Sequence, residues 1–320
     1  MERPILVIST LAPEMVAWLA AERLPGEKFH IVDRPAQVGP LLSGLPPEEL
    51  PEIVLGMNSP HLPRSDMHLA RDVETVRWWQ VAGSGYEWLG DWDRQRLTVT
   101  NCVGVLAPFL AETAIGAMIA LNNGLLAYRE KQRARRWAPV DFPPLSGQRL
   151  LVVGAGAIGQ EVAQRARAFG LHTTGLSRDG AAREPFDEMV PLAALDCALG
   201  QADIVSCHLR LTPATRGIFD GRRFGLMKPG ALFLNSARGG HVDEAALLAA
   251  LTSGHLRGAW LDVFETEPLP EESPLWEVLN LLITPHASDQ IEGWHLRFAA
   301  LFAENVERWR AGQPLINRVP

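Results

Sequence analysis

The residues able to do chemistry in this chain lie downstream of a glycine-rich turn. They are Arg238, Glu267 and His286, each just past an apolar, strand-like run. An arginine offers a two-pronged donor to a carboxylate and supports charge that develops on an oxygen. A free imidazole titrates near neutral pH, at about 6.5. A carboxylate beside it favours the protonated form, which can deliver a proton to a nascent alkoxide. These three residue types at successive strand ends of a nucleotide-binding sheet are what reduction of a 2-keto acid by a nicotinamide requires.

The element that must position a nicotinamide is also legible. The apolar run Leu150–Val153 leads into Gly154-Ala155-Gly156-Ala157-Ile158-Gly159, and a helical pattern follows to Phe169 with Gly170 as its cap. Strand, G-x-G-x-x-G turn and helix stand in the order a dinucleotide site needs. Gly154 permits the tight turn, Gly156 admits a pyrophosphate close to the backbone, and Gly159 lets helix and strand approach. The pyrophosphate would rest on the free amides that open the helix. The next strand ends Gly175-Leu176-Ser177-Arg178. An NAD-specific site places a carboxylate near here to accept from the ribose 2′-hydroxyl. A serine hydroxyl and a guanidinium suit a 2′-phosphate instead, so NADP is the expected cofactor and NAD the second choice. Arg178 as an ordinary surface residue is the alternative reading.

The first hundred residues alternate strand-like runs (Ile5–Ser9, Phe29–Val32, Ile53–Leu55, Val76–Ala82, Leu97–Thr100) with helical ones, of which Met15–Glu22 is the clearest. Pro108–Tyr128 reads as one long helix. After a proline-rich linker the alternation resumes with strands at Leu150–Val153, Thr173–Leu176, Ile204–Leu209, Ala231–Asn235, Ala259–Phe264 and Leu281–Thr284. Helices are expected at Ala157–Phe169 and Asp243–Thr252, and a last one at Ile291–Arg310. Strands separated by helices imply doubly wound parallel sheets with ligand groups at the strand carboxyl ends.

Bulk properties bound the answer. The chain has 320 residues, 47% of them hydrophobic, a net charge of −7 and a mean hydropathy near zero. That length suggests two domains. The charge argues against a general nucleic-acid or anionic-membrane role, and the basic run Arg129–Arg136 reads as a solvated helix end. Cys102, Cys197 and Cys207 are odd in number and lack paired metal-ligand spacing, which suits thiols in a reducing cytosol. The chain opens almost directly into Ile5–Ile8, too short an apolar run for a signal segment. His61 and His68 have no companion ligand, so no metal is assigned.

With these motifs in hand, the chain resembles the D-isomer-specific 2-hydroxyacid dehydrogenases, closest in kind to the glyoxylate/hydroxypyruvate reductases. The residues that carry the likeness are Asn235-Ser236-Ala237-Arg238-Gly239, the stretch from Leu261-Asp262 through Glu267-Pro268-Leu269, Thr284-Pro285-His286, Gly154–Gly159 and Thr212-Pro213-Ala214-Thr215. Asn101 and the Trp137–Gly159 approach to the turn also fit. The resemblance implies two flavodoxin/Rossmann-like α/β domains with the active site in the cleft between them. Residues 1–102 plus 290–320 would form the substrate domain, and 103–289 the dinucleotide-binding domain. It further implies that Arg238 binds the substrate carboxylate and carbonyl, that His286 donates the proton and that Glu267 pairs with it. Ala157, Ile158, Leu209, Thr215 and Ala237 would line the cofactor, and Asp262 would hold the nicotinamide carboxamide, with an Asx turn as its alternative. The amides of Ser84 and Gly85 would grip the substrate carboxylate opposite Arg238. Arg210 stands where the family often has proline and would join a 2′-phosphate clamp. Ala287-Ser288-Asp289 stands where many members have a glycine soon after the histidine.

The expected activity is reversible hydride transfer between NADPH and a small 2-keto acid, glyoxylate or hydroxypyruvate. The expected assembly is a cytosolic homodimer with Pro108–Tyr128 reaching to the second subunit. Two other readings stay open: a dinucleotide-sensing co-repressor-like scaffold of the same fold, and a formate or phosphite dehydrogenase.

Overall fold

The computed structural model describes residues 3–34, 36–57, 62 and 64–320; His61 lies outside them. The chain divides into two units, residues 1–106 with 292–320 and residues 107–291.

The first unit is built on β1 (Ile5–Ile8), β2 (Phe29–Val32), β3 (Ile53–Gly56), β4 (Trp78–Val81) and β5 (Thr98–Thr100), with α1 (Ala12–Trp18), α2 (Val38–Gly44) and α3 (Arg64–Arg71) between strands. All strand pairs are parallel, in the order β2-β1-β3-β4-β5. This is the flavodoxin-like order of a doubly wound sheet. β1, β3 and β4 are buried along their whole length, as an apolar parallel strand covered on both faces must be. The last helix, Trp294–Arg310, packs onto β4. Trp78 stacks on Phe302 and Trp309, with ring centroids 5.3 and 5.8 Å away, and Asn305 Nδ2 donates to buried Gln80 Oε1 at 2.9 Å.

The second unit begins with α4 (Ala107–Asn122) and α5 (Leu125–Arg133). The single helix expected over Pro108–Tyr128 is therefore two, bent by 61°. The cause is Gly124, whose φ of +67° ends one helix and opens the next. Among the described residues no single helix is long and apolar enough to cross a membrane. The sheet follows with β6 (Arg149–Val153), β7 (His172–Ser177), β8 (Glu188–Pro191), β9 (Ile204–Cys207), β10 (Ala231–Asn235), β11 (Leu256–Leu261) and β12 (Leu281–Ile283). Its helices are α6 (Ala157–Ala168), α7 (Leu195–Leu199), α8 (Gly221–Leu226) and α9 (Glu244–Thr252).

The seven parallel strands run in the order β12-β11-β10-β9-β6-β7-β8. Side chains of a strand alternate between faces. Leu150 and Val152 of β6 therefore join the layer built by α4 and α6, while Leu151 and Val153 join the layer holding Phe224 of α8 and Leu247 of α9. The strand order reverses between β6 and β9, the point at which ligands bind in open α/β sheets. Two expectations need correction. β8 is an additional edge strand, hidden in the sequence because Glu-Met-Val-Pro is half-exposed and not an apolar run. β11 runs three residues earlier than Ala259–Phe264, because the chain leaves the ladder at Asp262 to form the turn described next. Cys102 and Cys207 are buried, and burial pushes both thiols up to about 12.

Candidate active site

The glycine-rich turn sits at the reversal of strand order. Gly154 has φ +113°, and a Cβ there would lie 2.6 Å from the His208 carbonyl, so no other residue fits between β6 and β9. Above Gly156, by contrast, a Cβ would meet nothing within 4 Å. α6 opens without a side-chain cap, and its first internal donor is Gln160 onto the Gly156 carbonyl. Among the described residues the amides of Ala157, Ile158 and Gly159 make no hydrogen bond, and they lie at the positive end of the helix, a fit for a pyrophosphate. Arg183, which the sequence reading passed over, reaches across this turn and donates from Nη1 to the Ala155 carbonyl at 2.9 Å.

After β7 the arrangement differs from a bare serine and arginine. The Ser177 hydroxyl donates to Asp179 Oδ1 at 3.0 Å and accepts from the Gly180 amide at 3.0 Å. Its one proton is committed, so Ser177 shapes the turn and presents no free donor to a phosphate. The Ala181 amide and the Ser177 hydroxyl hold the exposed Asp179 carboxyl below the usual carboxylate range. A carboxylate therefore does stand on this turn, two residues beyond the position where it was sought, between exposed Arg178 and Arg183. The loop after β9 is closed in the same manner. Thr215 donates from Oγ1 to the Arg210 carbonyl at 2.8 Å and accepts from the Thr212 amide, so its hydroxyl holds the loop's shape. Leu209 packs against the core beneath, and Arg210 is exposed. His208 Nε2 lies 2.8 Å from Ser206 Oγ, while Nδ1 is buried without a partner among the described residues; burial lowers this imidazole to about 4.

Arg238, Glu267 and His286 follow β10, β11 and β12, which are neighbours in the sheet. Arg238 is exposed in extended backbone. Its carbonyl is held by Asn235 Nδ2 at 3.0 Å and by the buried His241 ring, whose Nδ1 is 3.1 Å away. Ala237 is buried, with its amide on Asn235 Oδ1. Gly239 abuts the Phe264–Glu265 backbone so closely that any Cβ would collide with it, which joins the arginine loop to the turn after β11. That turn is tied by Glu267, which accepts from the Phe264 amide through Oε1 at 2.9 Å and from His286 Nδ1 through Oε2 at 2.8 Å. With Nδ1 engaged, Nε2 of the half-exposed His286 is the ring atom left to exchange a proton.

Asp262 supports this histidine from below. It is fully buried, and its carboxylate accepts four hydrogen bonds: from Thr284 Oγ1 (2.5 Å) and the Ala287 amide (2.9 Å) on one oxygen, and from the Ser288 amide (3.2 Å) and hydroxyl (2.5 Å) on the other. Its main-chain carbonyl takes the His286 amide at 2.7 Å. His286 itself has φ +50°, a left-handed conformation that costs a residue with a Cβ about 1–2 kcal/mol. Asp262 therefore holds the histidine loop in place. Four donors fill its lone pairs, so a carboxamide reaching it must displace one, and only the two hydroxyls can rotate away. Ser84 and Gly85 belong to the other unit, in the exposed loop after β4.

Known proteins resemble this chain in sequence and fold. Residues 115–288 fit the model for the NAD binding domain of D-isomer specific 2-hydroxyacid dehydrogenases. A D-3-phosphoglycerate dehydrogenase of Mycobacterium bovis is 38% identical over 205 residues, 63% of this chain; the match spans only 39% of that longer protein. A glyoxylate reductase of Korarchaeum cryptofilum is 34% identical over 231 residues, 69% of this chain and 68% of that one. Among solved structures, a D-isomer specific 2-hydroxyacid dehydrogenase from Xanthobacter autotrophicus Py2, in complex with NADPH and MES, superposes with a TM-score of 0.83 at 30% identity over 100% of this chain and 98% of that one.

Proposed function

The chain belongs to the D-isomer-specific 2-hydroxyacid dehydrogenase family, and on that premise we propose that it reduces a small 2-keto acid, glyoxylate or hydroxypyruvate, with NADPH preferred over NADH. The observation that carries the reading is the His286–Glu267 pair, 2.8 Å apart, which links the segments after β12 and β11 beside the end of β10 that carries Arg238. A bound nicotinamide dinucleotide supplies the hydride. The chain supplies the rest. Arg238 binds the substrate carboxylate and meets charge growing on the carbonyl oxygen. His286 passes a proton from Nε2 to that oxygen, and Glu267 fixes the ring and stabilises its charged form. The open amides ahead of Gln160 hold the pyrophosphate, and Arg183 sets the turn beneath it.

Preference for NADPH rests on Arg178, with Arg183 in the same segment after β7 and Arg210 in the loop after β9. Asp179 opposes it, because an ionised carboxylate repels a 2′-phosphate. We place the protein in the cytosol as a homodimer. Trp137, wholly exposed just beyond α5, is the large apolar side chain that a second subunit would cover. A panel of 2-keto acids assayed with NADPH and NADH in parallel tests the reading. Reduction of glyoxylate or hydroxypyruvate supports it, and inertness toward every 2-keto acid sinks it.

A further inference from the structure

A cavity of about 120 Å³ lies between α7 and the strands β6, β7 and β8 of the second unit. Leu151, Val190, Ala198 and Ala202 give it apolar walls, and Cys197 and Thr174 open onto the same space. Side chains two apart on a strand share a face. Leu176 joins the layer that holds Leu195 and Leu199 of α7, so Thr174 of the same strand also points toward that helix.

The two neighbouring threonines of β7 differ. The Thr173 hydroxyl is 2.9 Å from Asp187 Oδ2, whereas that of Thr174, a residue only 8% exposed, has no hydrogen-bond partner among the described residues. A hydroxyl so far buried calls for one. The other polar side chains around the cavity are engaged. Arg149 Nη2 is 3.4 Å from Glu188 Oε2, and the Gln201 side-chain amide donates to Cys197 Sγ at 3.6 Å. Cys197 is exposed while Cys102 and Cys207 are buried, so it is the thiol that a reagent reaches. An apolar cavity of about 150 Å³ takes benzene, so this slightly smaller one suits an arm of about four or five heavy atoms.

We propose that Cys197 and the cavity beneath it form a modification site that holds a two-carbon thiol with a hydrogen-bonding end as a mixed disulfide. The Cys197 thiolate attacks one sulfur of a small disulfide, R–S–S–R. The bond from Sγ to that sulfur forms, the original S–S bond breaks, and R–S⁻ leaves and takes up the proton that the cysteine gave up. The small disulfide is the oxidant, so the site fills as the ratio of small disulfide to thiol rises. The arm lies against the apolar walls, and its end pairs with the Thr174 hydroxyl. The site does not rest on the 2-keto acid reading.

The test equilibrates the whole chain with bis(2-hydroxyethyl) disulfide and 2-mercaptoethanol over a range of ratios, and in parallel with diethyl disulfide and ethanethiol. The adduct on Cys197 is read by peptide mass spectrometry, and a free-cysteine peptide carried through the same mixtures normalises the two arms. The parent should retain the hydroxyethyl arm about three- to ten-fold more strongly than the ethyl arm, the effect of one hydrogen bond. Thr174→Val keeps the shape of the side chain and removes its hydroxyl, and it should erase that preference. The comparison of arms in the parent decides the matter even where the variant does not fold. No adduct on Cys197, equal retention of the two arms by the parent, or a preference that survives Thr174→Val overturns the proposal and leaves Cys197 an ordinary exposed thiol.

Discussion

Replacing Asp262 by asparagine changes one atom of the support beneath His286 and separates two roles for that carboxylate. Whichever oxygen becomes an amide nitrogen, a main-chain donor loses its acceptor: Ala287 on one side, Ser288 on the other. The hydroxyls of Thr284 and Ser288 can turn to accept from the new amide; the backbone N–H groups cannot. A buried unsatisfied amide costs about 1–3 kcal/mol, and the two bonds on the oxygen that remains lose charge assistance worth about 1 kcal/mol each, for a total of about 3–5 kcal/mol. That loss falls on a loop already holding His286 in a left-handed conformation. At 1.36 kcal/mol per decade, even half of the lower figure is about ten-fold in the population with the imidazole in place. Asp262→Asn should therefore lower kcat about 10- to 100-fold, lower Tm, and leave KM for the dinucleotide within about three-fold. If Asp262 instead holds the nicotinamide carboxamide, KM for the dinucleotide rises and kcat follows it only in part. Steady-state kinetics and thermal unfolding on one preparation decide the matter. A variant with the parent's kcat would refute the positioning argument.

His286→Ala should lower turnover by about two to four orders of magnitude while dinucleotide binding, read by fluorescence titration, is unchanged; near-parental turnover would remove His286 as the acid. On the turn after β7, Asp179→Ala should raise the ratio of kcat/KM for NADPH over NADH a few-fold, and Arg178→Ala should lower it about ten-fold. A ratio that ignores both changes would show that the 2′-phosphate lies elsewhere. His208, lowered to about 4 in the fold against about 6.5 unfolded, remains neutral where the unfolded chain takes up a proton. Its contribution to stability is complete above about pH 6.5 and is lost as pH falls toward 4. That gap corresponds to about 3 kcal/mol. Urea unfolding followed from pH 7 to 4 should show this decline in the parent and a shallower one in His208→Gln; parallel curves would refute it.

What was legible in the sequence was local and periodic. The run Leu150–Val153 announces a strand buried on both faces because every position is apolar, and Gly154–Gly159 announces a turn because no side chain fits beside His208. Features carried by partners far along the chain were not legible. The task of Asp262 depends on Thr284 and Ser288, more than twenty residues away. β8 escaped because an edge strand needs no apolar run. The break at Gly124 was visible as Asn-Asn-Gly but was outvoted by apolar spacing on either side. Asp179 was missed for a different reason. A tight turn brings residue i+2 back onto the hydroxyl of residue i, so the carboxylate of this turn stands at Asp179 and not at Ser177.

The grouping of Arg238, Glu267 and His286 at neighbouring strand ends was legible although the three are dispersed, and the reason is geometric. Neighbouring strands of a sheet lie about 4.8 Å apart. Residues just past the ends of three adjacent parallel strands must therefore gather along one edge, whatever length of chain separates them. Arg238, Glu267 and His286 follow β10, β11 and β12, and the collision that any side chain at Gly239 would meet shows how closely the first two turns are pressed together. Their order along the sheet also gives each a distinct task. Glu267, in the middle, reaches back to the Phe264 amide and forward to His286, so it belongs to the scaffold as much as to the chemistry. Arg238 and His286 follow the strands on either side of it, so on the proposed reading one offers a cation and the other a proton to the same substrate.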